Sequence, residues 1–468
     1  MGKIMAAKIQ PHGQNTRVTK SCSLFLPLME FSYSRWLSAI ALLCITLSAC
    51  REAVNTPAFA SDDLHRWNRE LVEVVMEDLF PPMIASRVYT YPQIAAWMAS
   101  IPADSTREAM ASRLHGCTPP PPCPADPVDH SIAAWAAWHH TASRLVFSTH
   151  RMQALRDGDT PRLHGTDRRI VERSEAWGIA IAGWILERAS RDSYRETRTM
   201  ARWTPARRDS TWWQTPPDYP AAIEPHWSKI MRFVPVHHTT CTPPLPVPYS
   251  HDPRSAFHQL ALETMSHIPG ADSLRDATAW YWDDNPNDYE NTGHNTRFLH
   301  KISPAGHWIR IADYACRTSA LTLNQTAQLY AHLAIAQFDA FIACWKVKYD
   351  TDRIRPVTYI QAHINPLWMP LIQTPGFPEY TSGHSVISAA SAAVLNHYLG
   401  EEMAFTDSTE YPFGLGVRHF HSFSQAAEEA GYSRLYGGIH FRDGVEAGLR
   451  QGTCIGQSII RHFQQKQP

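Results

Sequence analysis

The chain has no excess of charge of either sign. Lys and Arg total 43 against 44 Asp and Glu, a formal net charge of −1 over 468 residues, so no global field points to nucleic acid. It has no Cys-x2-Cys pair, the usual spacing of a zinc site, and no internal repeat. No stretch alternates apolar and polar residues convincingly, so strands are not expected. The apolar run from Trp36 to Ala49 is about 14 residues, short of the about 20 that span a bilayer. Charged residues are only 19% and hydrophobic ones 44%, which suits a globular protein with a sizeable core and is too apolar for a disordered chain. Length suggests two to three domains, or fewer if one is large. What the chain does have in quantity is 16 Trp and 35 Pro, which suggest long aromatic-pinned loops between helices.

The N-terminus reads as a targeting segment outside the fold. Arg35 precedes the apolar run, which ends in Leu47-Ser48-Ala49-Cys50, small residues before a cysteine. This resembles a bacterial lipoprotein signal in which Cys50 is lipidated and becomes the mature N-terminus. A plain secretory signal or a short anchor would share the same apolar run. The residues before Arg35 make a long leader, whereas Met29 to Cys50 alone has ordinary signal proportions, so Met1 and Met29 both stand as starts. Arg51 follows the cysteine where an inner-membrane retention signal usually has Asp. An exported, lipid-anchored protein of the bacterial envelope is expected, on the outer membrane and facing the periplasm.

Six cysteines remain beyond Cys50: Cys117, Cys123, Cys241, Cys316, Cys344 and Cys454. An exported location permits disulfides. Cys117 and Cys123 could close a small loop, though the four prolines between them restrict its geometry. Cys344 and Cys454, in helical and apolar surroundings, read as buried free thiols.

The long segments carry apolar residues at helical spacing, and the expected fold is all-α, built from packed helical bundles. Ile132–Leu145, Ile170–Ser190, Leu321–Lys348, Val386–Leu399 and Val445–Phe463 read as helices. Pro-rich stretches punctuate them, and Thr242–Pro248 marks the best boundary. The organisation is therefore a signal segment (1–50), an N-terminal helical region (51–240) and a C-terminal catalytic helical domain (241–468).

Three short segments carry the chemistry: Lys348-x6-Arg355-Pro356, Ser382-Gly383-His384 and Ser433-Arg434-x5-His440. Arg355 and Arg434 offer planar forks that each grip two oxygens, and Lys348 is a point charge. Ser382 and Gly383 stand before a helix, whose free amides favour an anion. Two imidazoles then divide the labour: one bonds to the central atom of an oxyanion, and the other moves protons. Phosphate and vanadate are the obvious anions. The local clusters His139-His140, His237-His238 and His419-x-His421 are better explained by surface or loop packing than by metal binding, and Gly414-Leu-Gly416 is too short for a nucleotide loop.

In this order the three segments resemble the signature of the superfamily that joins vanadium haloperoxidases, type-2 phosphatidic acid phosphatases and bacterial acid phosphatases. The resemblance runs from about Leu321 to the C-terminus. It implies that Lys348, Arg355, Ser382, Gly383 and Arg434 hold the anion, that His384 is the acid–base, and that His440 is the vanadate ligand or a phosphohistidine nucleophile. Trp345 and Phe377 resemble the positions lining the halide pocket of fungal-type chloroperoxidases, although ordinary packing would place them equally well. Asp283 is a candidate to orient His384. Thr381 stands where many members have proline. The usual aspartate four residues after the last histidine is replaced by Gly444, leaving Asp443 as a substitute one place early.

The expected activity is oxidation of a halide by hydrogen peroxide with vanadate as cofactor. Lys348 would polarise the oxygen that the halide attacks. The alternatives are a phosphatase acting through His440, which would need no cofactor, and a non-catalytic phosphate-binding envelope lipoprotein. The complete pair of histidines argues against the last, because binding alone needs no general acid.

Overall fold

The structure, a computed structural model, describes residues 57–235, 240–286, 289–292, 294–298 and 300–465. The signal segment with Cys50 and the pair His237-His238 lie outside the described residues.

The architecture is helical. The helices that matter here are α1 (Ser61–Glu77), α2 (Pro82–Ser100), α3 (His130–Ser143), α4 (Arg168–Ser190), α5 (Ser273–Tyr281), α6 (Pro304–Cys316), α7 (Leu323–Thr351), α8 (Pro356–His363), α9 (Gly383–Leu399), α10 (Phe423–Tyr436) and α11 (Arg442–Gln464). Two antiparallel hairpins accompany them: β1 (Tyr289–Thr292) with β2 (Asn295–Phe298), and β3 (Phe405–Asp407) with β4 (Arg418–Phe420). Strands of three or four residues are too short for alternation to show in a sequence. No helix among the described residues is long and apolar enough to cross a membrane.

Helices α2, α3 and α4 pack together, while α7, α9, α10 and α11 form a second group; α2 lies against α7. One apolar core runs from Phe59 to Phe463. Within it, Asp339 of α7 accepts the Phe233 and Val234 amides at 3.0 and 2.9 Å. His139 is buried in this core at 3.3 Å from Asp159, a packed histidine inside a helix rather than in a loop.

Helix α7 begins with a capping box between Thr322 and Gln325. It runs past Lys348 to Asp352, whose left-handed φ of 46° ends it. Pro356 forces the preceding residue out of helical geometry, so Arg355 is extended (φ −84°, ψ 154°) at the head of α8. Helix α9 starts three residues before Val386 because Ser382 caps it, accepting the Ser385 amide at 3.3 Å. His384 therefore sits in its first turn.

Helix α11 approaches α9 along a stripe of glycines. A Cβ on Gly452 would stand 2.1 Å from the Val386 carbonyl oxygen, and one on Gly456 2.5 Å from that of Ala390. Only hydrogen fits at either position, and the two backbones meet. This contact seats the Ser382–His384 turn against the start of α11.

The cysteines depart from expectation. Cys454 is not a buried free thiol: it forms a disulfide with Cys241, with Cα atoms 5.6 Å apart. Residue 454 lies on a partly exposed face of α11, where the chain from Cys241 reaches it. Cys117 and Cys123 are free thiols and do not close their loop; four consecutive prolines favour an extended run that keeps its ends apart. Cys344 is free and buried, as expected.

Candidate active site

The C-terminal ends of α7 and α10, the heads of α8 and α9 and the turn before α11 converge. Trp345, Phe377, Gly383, His384, Arg434 and His440 line one small cavity of about 30 Å³. Arg355 Nη1 lies 3.1 Å from His440 Nε2 and donates to the Ile439 carbonyl at 2.7 Å. Lys348 Nζ donates to the carbonyls of Pro378 and Glu379, both at 3.0 Å, and lies 4.8 Å from the Phe377 ring centroid. Lys348 and Arg355 are completely buried, and His440 is 2% exposed. Pro82 of α2 and Pro304 of α6 complete the wall, so the site draws on both halves of the chain.

Buried cations gather at this cavity, with carboxylates set behind them. Burial pushes Lys348 down to about 7 and Arg355 down to about 10. Burial, then the Arg434 guanidinium and the His440 and His307 imidazoles, hold His384 well below the usual imidazole range, and burial, then Arg355 and Lys348, do the same for His440. At His440 the Arg355 donor facing Nε2 calls for the neutral imidazole.

The carboxylate behind His440 comes from an unexpected quarter. Glu379 Oε1 accepts from His440 Nδ1 at 2.8 Å and from the Phe441 amide at 3.2 Å. With Nδ1 carrying the proton, Nε2 keeps its lone pair. Gly444 leaves the room: a Cβ there would lie 2.3 Å from Glu379 Oε1. The Glu379 carboxylate thus sits against the position where many relatives carry an aspartate. Asp443 does not touch His440. It accepts from Arg353 Nη1 at 2.8 Å and from the Val247 amide at 3.0 Å, while the same Nη1 reaches Glu379 Oε2 at 2.8 Å. Asp443 therefore acts three contacts away, through Arg353 and Glu379.

His384 is backed by Asp284, not by Asp283. Asp284 Oδ2 is 4.0 Å from His384 Nε2, while Asp283 pairs with Lys301 and, at 3.4 Å, with Arg434 Nη1. Adjacent residues on an extended turn point apart, and the turn after α5 aims the second aspartate at the imidazole.

The matches to other proteins are decisive for the family. A solved bacterial vanadium-dependent iodoperoxidase superposes with a TM-score of 0.80 at 36% sequence identity, covering 86% of this chain and 96% of that one. The chain belongs to the vanadium haloperoxidase superfamily. The family model described as the VCPO second helical-bundle domain matches residues 328–467. Holo-type and apo-type structures of bacterial vanadium-dependent chloroperoxidase share the fold, with TM-scores of 0.61 and 0.60 at 17% and 16% identity; they cover 83% and 82% of this chain and 94% and 95% of theirs. Comparison with curated proteins finds no match.

Membership of the haloperoxidase superfamily makes the chain an enzyme of the oxidoreductase kind and implies vanadate as cofactor. The side chains fit such an anion. Among the described residues, Arg355 Nη2 and His384 Nε2 are buried polar atoms without a hydrogen-bond partner, a costly state unless a ligand satisfies them. They stand beside the buried Lys348 ammonium and the lone pair of His440 Nε2. Trp345 and Phe377 form an apolar flank, their ring centroids 4.9 Å apart.

Sequence reading missed Glu379 and Asp284. Gly444 carried a signal for the first: a glycine where a carboxylate is usual marks a hole that another carboxylate can fill. Nothing local marked the second.

Proposed function

We propose that this enzyme oxidises a halide with hydrogen peroxide at a vanadate bonded to His440 Nε2. Lys348, Arg355, Ser382, Gly383 and Arg434 would hold its oxygens. The observation that carries the reading is the Glu379–His440 bond, which fixes a neutral imidazole with its lone pair among buried cations. Bound vanadate supplies a Lewis-acidic centre that activates peroxide toward a halide. Arg355 and Arg434 would neutralise the anion's charge, and the Gly383 amide at the head of α9 would donate to it. Lys348, fixed by two carbonyls, keeps a third donor for a reacting oxygen. His384 moves a proton at Nε2. Trp345 and Phe377 give a polarisable halide an apolar wall. Iodide is the first halide to test, given the iodoperoxidase likeness. The expected result is peroxide-dependent iodide oxidation that appears only when vanadate is added to the stripped protein. No halide oxidation at saturating vanadate would sink the proposal.

A second reading is favoured by the same bond. The absence of an aspartate at 444 counts against a phosphohistidine intermediate, but Glu379 gives His440 the carboxylate such a nucleophile needs. Phosphate-ester hydrolysis assayed on the same preparation, with and without vanadate, separates the two. Export with a lipid on Cys50 completes the proposal. The Cys241–Cys454 disulfide supports an oxidising compartment. Cys50→Ala should abolish labelling by a fatty-acid probe, and labelling that survives would exclude the anchor.

A further inference from the structure

Behind His384 lies a buried cluster that the proposed function does not use. His307 of α6 is completely buried, with both ring nitrogens committed to carboxylates. Nδ1 faces Asp284 at 3.0 and 3.1 Å, and Nε2 faces Asp407 of β3 at 2.8 Å. Glu410 brings a third carboxyl: its Oε1 is 3.9 Å from His307 Nδ1, and ligand atoms of Asp284, His307 and Glu410 all lie within 4.8 Å of one another. Glu410 Oε1 is buried without a hydrogen-bond partner. Yet Glu410 also lines a second, larger cavity of about 870 Å³, together with Asp283, His300 and Lys301. It therefore has the cluster on one side and solvent on the other.

The charges around this cluster come from several elements. Asp283 and Asp284 follow α5, Lys301 precedes α6, and Arg434 is on α10. The Tyr281 hydroxyl donates to the Asp407 carbonyl at 3.2 Å, and Arg418 of β4 lies over the Tyr281 ring at 4.7 Å. With His307 charged, Asp283, Asp284, Asp407 and Glu410 face the three cations His307, Lys301 and Arg434. One added proton balances the set.

We propose that Glu410 is the proton intake of the active site, passing protons from the outer cavity through Asp284 to His384. The proposal rests on the haloperoxidase reading, in which halide, peroxide and one proton give hypohalous acid and water, so each turnover consumes a proton. Glu410 loses its proton to the Asp284 carboxylate, Asp284 passes one to His384, and a water-borne proton from the outer cavity restores Glu410. His307 holds the pair in register and stays charged. Away from this cluster the active-site cavity is lined by the apolar side chains of Pro82, Pro304, Phe341, Pro375 and Ile439. Burial, with the Asp284 and Asp407 charges, pushes the Glu410 carboxyl up to about 8 despite the opposing His307, and burial raises the neighbouring Asp284 carboxyl as well, so the added proton is shared by the Glu410–Asp284 pair.

The test compares wild type, Glu410→Gln and Glu410→Asp as full-length proteins. With vanadate bound, Glu410→Gln should lower kcat for iodide oxidation roughly tenfold or more. KM for iodide and peroxide should stay unchanged, the solvent deuterium effect should rise, and formate or imidazole should restore the rate. Glu410→Asp should keep most of the rate. In vanadate-free protein, the infrared band of a protonated carboxyl should vanish in Glu410→Gln. An unchanged kcat and pH profile in Glu410→Gln would overturn the proposal, as would a stoichiometric divalent cation in purified wild type. If wild type oxidises no halide, the functional reading falls by itself. The infrared difference then decides: no protonated carboxyl at Glu410 ends the proposal, and its presence sustains the intake.

Discussion

The two sides of the cavity hold their histidines in opposite ways. On one side, His440 is locked: Glu379 accepts its Nδ1 proton at 2.8 Å, Arg353 clamps Glu379, and Asp443 steadies Arg353. On the other, His384 is loose: its nearest carboxylate is 4.0 Å away, and its side chain keeps 14% exposure. A ligand nitrogen must have one tautomer and one direction, whereas a proton carrier must exchange partners. The contrast matches the two roles proposed for these chemically identical side chains.

The largest effect should come from breaking the locked side. His440→Ala should lose vanadate binding, read by isothermal titration, and with it all turnover. His384→Ala should keep binding and lose about 10²–10⁴-fold in rate. Equal loss of affinity in both variants would erase the comparison.

Removing the lock but not the histidine is the next test. Glu379→Gln frees the tautomer of His440 and should weaken vanadate binding about 10–100-fold. The equivalent change at Asp284 should leave affinity unaltered while slowing turnover. Wild-type vanadate affinity in the Glu379→Gln protein would show that the carboxylate merely fills space.

The cations between the two histidines sharpen the comparison through pH. Lys348 is held down to about 7 by burial, and a bound anion raises it again. Below that value the ammonium is present in free and bound protein, and affinity is flat. Above it, binding must take up a proton, and affinity falls by up to about tenfold per pH unit. Sulfate, whose charge is constant over this range, should show the fall, and Lys348→Met should remove it.

Gly444→Ala should give the smallest effect. The added methyl crowds Glu379 Oε1, so affinity should drop by a fraction of the loss in Glu379→Gln. Thermal stability should fall by about 1–3 kcal/mol, the usual result of overpacking. An unchanged affinity would mean that the carboxylate can shift and still hold His440.

Much of this is legible in the sequence because it is local. The helix α7, its arrival at Lys348, the extended Arg355 before a proline and the capped turn at Ser382 all follow from residues within a few positions of one another. The family signature sits on those same turns. What is not legible depends on pairing across distance. Glu379 precedes His440 by a long stretch, and only folding puts them together; Asp283 and Asp284 are neighbours whose directions differ by one backbone step. The Cys241–Cys454 bond escapes a sequence reading for the same reason, since local apolar context cannot reveal which face of α11 a residue occupies.

The buried thiol of Cys344 has a consequence for the lifetime of the catalyst. Its Sγ lies 3.6 Å from the Thr381 carbonyl, one residue from the Ser382 turn. A hypohalous acid formed in the cavity would be released within a few bonds of an oxidisable sulfur. Oxidants attack the thiolate far faster than the thiol, and burial, outweighing the nearby Lys348 and Arg355 charges, raises the Cys344 pKa. Under the proposed activity an oxidisable sulfur would stand next to the reagent, and its burial and raised pKa are what would protect it.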